Sequence, residues 1–120
     1  MKVQLQGQSL RLRIGEDELA RLLAGEDVAN QTRLAGAVLR HVVRLAPGEL
    51  PVAAVEGGGW IFGLPDAAVR DYVARLPCRD ALELGLGDGE AALKLAFEVD
   101  VRDSVRRRGP PQRRRTPRPG

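Results

Sequence analysis

The chain reads as an α+β fold of two ββαββ repeats forming a small barrel-like or sandwich domain, with a disordered basic C-terminal tail. Three observations predict this. Short segments in which apolar and polar residues alternate strictly flank two helical stripes. The order strand–strand–helix–strand–strand occurs twice, over about residues 1–46 and 50–101. From Arg102 onward Arg, Pro and Gly dominate, and Val105 is the only sizeable apolar residue, too little to offset the entropy of ordering residues 102–120.

In the first repeat, Val3 and Leu5 alternate with Lys2, Gln4 and Gln6, a strand that ends at Gly7. Leu10, Leu12 and Ile14 alternate with Arg11 and Arg13, a second strand. The period then changes: Leu19, Leu22 and Leu23 stand at helical spacing behind Glu16, Asp17 and Glu18, acids suited to a helix's first turn, and Gly25 is placed to stop it. Residues 28–34 and 38–45 read as two further strands.

In the second repeat, residues 50–55 form a strand, 56–59 a turn, and 60–64 a strand with Trp60, Phe62 and Leu64 on one face. Pro65 marks a helix start, Val69, Tyr72, Val73 and Leu76 form its stripe, and Pro77 ends it. Residues 81–86 and 92–101 alternate cleanly around a hairpin turn at 87–91. Ile14 falls on Leu64, Leu19 on Val69, Leu22 on Tyr72 and Leu23 on Val73 at an offset of 50, and residues 37–45 lie on 91–99 at an offset of 54. Two such units interleaved into one closed barrel would lose their sheet edges. The alternative is an antiparallel sheet with both helices on one face.

The charge is divided. Residues 1–101 hold 11 basic and 15 acidic side chains, whereas residues 102–120 hold eight arginines and one acid, Asp103. The basic character belongs to the tail and does not mark the body as a nucleic-acid binder. Cys78 is the single cysteine, which fits a reducing cytoplasm, and no stretch has the length and apolarity of a membrane span.

Arg11 and Arg13 share a strand face with Ser9. They either contact nucleic acid or form a solvated face paired with Glu98 or Asp100. In the tail, Arg106, Arg107, Arg108, Arg113, Arg114 and Arg115 would attract a polyanion without sequence preference, and without interleaved aromatics they would not stack on bases. That tail could equally dock on the acidic body, or be the out-of-frame readout of a GC-rich gene. His41, in line with Val43 and Leu45, reads as a packing residue, and Cys78 as structural. The Gly-rich stretches 56–60 and 85–90 lack a following Gly-Lys-Ser/Thr and read as hairpin turns rather than phosphate cradles. Glu90, Glu98 and Asp100 lie on or beside a C-terminal strand expected at a sheet edge. No catalytic, cofactor-binding or metal-ligating residue is predicted.

The expected function is that of a small non-catalytic binding or accessory module of the cytoplasm. The alternatives are a DNA-binding regulator and polyanion binding through the tail. Expected partners are a protein, or nucleic acid through the tail or the Arg face, with no membrane; the expected state is a monomeric pseudo-dimer or a weak homodimer.

The opening Met-Lys strand, Gly7-x-Ser9 and the Arg11/Arg13 strand resemble a family of small bacterial proteins without assigned activity. The likeness continues at residues 60–73 and 95–101, so it covers most of the body. The resemblance implies the fold and no catalytic residues. That family closes in an acidic segment containing Asn-Pro, where this chain carries arginines. Gly7-x-Ser9 and Arg13-Ile14, followed by a helix and two strands, are more distantly similar to the AbrB/MazE class of swapped-hairpin DNA-binding proteins. This likeness implies that Arg11 and Arg13 contact DNA; their counterparts in the second repeat, Ile61 and Gly63, imply a one-sided grip.

Overall fold

Residues 1–101 are described by the computed structural model, and within them hairpins alternate with helices. The strands are β1 (Lys2–Gln6), β2 (Ser9–Ile14), β3 (Val28–Leu34), β4 (Ala37–Ala46), β5 (Val52–Glu56), β6 (Gly59–Pro65), β7 (Leu82–Leu86) and β8 (Leu93–Val99). Helix α1 (Glu16–Leu23) lies between β2 and β3, and α2 (Asp66–Ala74) between β6 and β7. The chain enters β8 through a short 3-10 turn, Gly89–Ala91, rather than the tight hairpin expected there.

Hairpins pair across the two halves of the chain. The first sheet has the order β1-β2-β8-β7 and the second β3-β4-β6-β5. Neighbours within a hairpin run antiparallel, but the central pairs β2/β8 and β4/β6 are parallel. An all-antiparallel sheet is thereby excluded, because each central pair joins two strands that no hairpin connects. The expected edge position of the last strand is also corrected: β8 lies inside the first sheet, between β2 and β7.

Period-2 alternation decides which side chains enter the core. Leu10, Leu12 and Ile14 of β2 face inward beside Leu95, Phe97 and Val99 of β8, and Val28, Val43, Phe62 and Leu64 come from the second sheet. Leu19 and Leu22 of α1 and Val69 and Tyr72 of α2 complete the cluster, with the Tyr72 and Phe97 rings edge-to-face at 6.1 Å. Trp60 shares the face of Phe62 and Leu64 but sits past the end of the core and is 38 % exposed.

The helix ends follow their local sequence. Gly25, at φ 93°, lets its own N–H reach Leu22 O at 3.0 Å and that of Glu26 reach Arg21 O at 3.0 Å, a Schellman closure. Arg70 of α2 donates to Leu23 O at 2.9 Å and to Asp66, which ties the C-terminus of α1 to the second helix. Between β4 and β6 the backbones leave no room for a side chain: a Cβ on Gly59 would stand 2.7 Å from Arg40 O.

Candidate functional site

The register places one parity of each strand of the first sheet on its outer face. From β1 come Lys2, Gln4 and Gln6; from β2, Ser9, Arg11 and Arg13; from β8, Lys94, Ala96 and Glu98; from β7, Glu83 and Gly85. Four cations thus share a face with two carboxylates, on a body in which acids outnumber bases.

Glu98 serves both arginines, with Oε2 at 3.2 Å from Arg11 Nη1 and Oε1 at 3.5 Å from Arg13 Nε. Of the two carboxylates that the sequence offers as partners, Glu98 and Asp100, Glu98 is the one placed against both guanidinium groups. Both guanidinium groups remain more than two-fifths exposed, so each contact is worth a fraction of a kcal/mol and can be exchanged for another anion at little cost. Lys2 and Lys94 are exposed and have no ion-pair partner among the described residues. Gln4, Ser9, Arg11, Glu83 and Lys94 border an open groove of about 710 Å³ across this face. Its polar groups are amides, one hydroxyl and charged side chains.

The sequence singles out Arg11 and Arg13 but not Lys2, Lys94 or Glu83. The signal for these was present in the alternation of residues 93–99, which puts Lys94 and Glu98 on one parity. What it lacks is the pairing of β8 with β2, a contact between strands more than 80 residues apart. The tail arginines Arg106, Arg107, Arg108, Arg113, Arg114 and Arg115 lie outside the described residues.

His41 is buried, 4 % exposed, and stands edge-to-face with Trp60 at 5.8 Å. Its Nδ1 has no hydrogen-bond partner among the described residues, and burial lowers its pKa from the ordinary 6.5, so the ring is held neutral. The unfolded chain binds this proton more readily. Stability is therefore fully present above about pH 6.5 and is lost as pH falls from there through the lowered native value. Leucine, the residue at the matching position 95, is expected to raise stability in His41→Leu by about 1–2 kcal/mol and to flatten this part of the pH profile. Urea titrations at several pH values check this; an unchanged profile would show that His41 does not couple to folding.

A second group with a displaced pKa is the Glu18 carboxyl at the start of α1. Burial opposes its ionisation, but the Met1 ammonium at 2.6 Å and the Gly15 N–H at 3.1 Å prevail and hold it below the ordinary range. Cys78 is exposed, with Sγ 3.4 Å from Asp80 O. Among the described residues no His, Cys, Asp and Glu cluster could hold a metal ion, and no helix is long and apolar enough to cross a membrane. Comparison with protein families and with curated proteins gives no match for this chain.

Proposed function

We propose that this chain is a small non-catalytic binding module of the cytoplasm that takes a polyanion on the outer face of its first sheet. The observation that carries the reading is that Glu98 is shared by Arg11 and Arg13, while Lys2 and Lys94 beside them have no ion-pair partner among the described residues. A phosphate chain laid along the face would take over the arginines from Glu98 and engage Lys94 across the groove. Its condensed counterions would be released, which makes the affinity salt-dependent. Glu83 and Glu98 limit that affinity and offset part of the positive charge of the unoccupied face.

The fold supports reading the chain as an internal duplication closed around one core. Substituting β5, β6, β7 and β8 for β1, β2, β3 and β4, and the reverse, converts the order β1-β2-β8-β7 into β5-β6-β4-β3, the second sheet read from its other edge. This exchange of hairpins also favours the narrower reading of a swapped-hairpin DNA-binding regulator. Gly63 and Ile61 stand where the second copy would carry its arginines, so such a regulator would grip DNA from one side.

The test is fluorescence anisotropy of labelled duplex DNA with the full chain and with residues 1–101, over a salt series. Residues 1–101 are expected to bind, and Glu98→Gln to tighten binding about 3-fold by freeing two arginines. Binding by the full chain alone would transfer the activity to the arginine tail and overturn the proposal.

A further inference from the structure

We propose that β5 is a homodimerisation edge, through which two copies of the chain pair their β5 strands antiparallel and merge their second sheets into one. Among the described residues four strands lie at sheet edges: β1, β7, β3 and β5. An edge presents unpaired N–H and C=O groups, and native proteins guard it with charge, proline or a bulge. Lys2 guards β1, Glu83 guards β7 and Arg33 guards β3. β5 follows Pro51 and carries a single charge, Glu56 at its end, but the run Val52-Ala53-Ala54-Val55 between them has no polar side chain, every residue of the strand is exposed, and Val55 is 76 % exposed. Directly across on β6, Trp60 continues the same apolar row.

The symmetry of the strand identifies the occupant as a second copy. Two sheets that merge about a two-fold axis must match residues of the same parity, so that inward faces stay inward. With the axis at Ala54, that residue meets the partner's Ala54, the smallest side chain possible with a Cβ. On the core-facing side Val55 meets the partner's Ala53, and the reverse, so large stands against small twice. Glu56 meets the partner's Val52 rather than another carboxylate. Among these edge strands only β5 offers four consecutive residues without a polar side chain: β1 carries Gln4 and Gln6, β3 carries Asn30, Gln31 and Thr32, and β7 carries Glu83.

The dimer is weak, since only one short strand per copy is buried, and the first sheet with its basic face stays open in both copies. The test is therefore independent of polyanion binding. In a full chain carrying Cys78→Ser, Ala54→Cys places two thiols at the axis. Cα atoms across an antiparallel pair stand about 4.5–5.5 Å apart, within the span of a disulfide. Oxidised glutathione is expected to convert this variant to a covalent dimer at least 10-fold faster than Ala67→Cys on exposed α2, in the same background. Adding Val55→Lys is expected to remove that advantage while circular dichroism stays unchanged. Equal rates at positions 54 and 67 overturn the proposal, whether or not the lysine variant folds.

Discussion

Replacing Phe97 by alanine is expected to cost about 3–5 kcal/mol and to leave the fold marginal or unfolded at room temperature, against a typical domain stability of about 5–15 kcal/mol. Phe97 is fully buried on an interior strand, in register with Leu12 on one side and Leu82 on the other, and its ring meets Tyr72 of α2. It thus bridges the two hairpins of the first sheet and one helix, and its surroundings are held by backbone ladders that cannot collapse into the gap. Trp60→Ala removes a larger side chain but one that lies past the core, so its cost should be smaller. Urea unfolding of both variants checks the ranking, and a larger loss at Trp60 would contradict the placement of the core.

The second large effect concerns the basic face. Arg11→Ala, Arg13→Ala and Lys94→Ala together, in residues 1–101, are expected to weaken duplex binding by about 30- to 100-fold at low salt and to lower the salt slope by about 3. Stability should change by less than about 1 kcal/mol, since the arginine pairs are exposed. The triple variant also leaves Lys2 as the face's one cation against Glu98 and Glu83, so the face becomes repulsive to phosphate. Arg33→Ala with Arg40→Ala, on the outer face of the second sheet and without ion-pair partners among the described residues, serves as a control that removes two cations rather than three, and should change binding far less for each charge removed. Equal losses per charge removed would mean that net charge, and not this face, governs binding.

Local structure was legible in the sequence because its periods are clean. The inward rows Leu10/Leu12/Ile14 and Leu95/Phe97/Val99, both helical stripes and the stop at Gly25 follow from spacing alone. Alternating cations on a strand seek acids across the ladder, so the sequence offers Glu98 or Asp100 as partners of Arg11 and Arg13, and the structure places Glu98 against both. Pairing between distant strands was not legible. Nothing in residues 92–101 announces that they run parallel beside residues 9–14, and their acids suggested an edge. Once β8 is placed in the interior, Glu98 becomes the counter-charge of the arginines, and Lys94 becomes part of the same face. Trp60 illustrates the other limit: alternation assigns it to the inward side but cannot say that the core on this strand begins only at Phe62.

The most direct measurement is an amide NMR titration of residues 1–101 with a short duplex at low salt. The predicted result is a set of shifts concentrated on Gln4, Ser9, Arg11, Arg13, Lys94 and Glu98, saturating together and reversed by added salt. Shifts confined to β3, β4 or the helices, or none at saturating duplex, would contradict the assignment of the outer face of the first sheet as the binding surface.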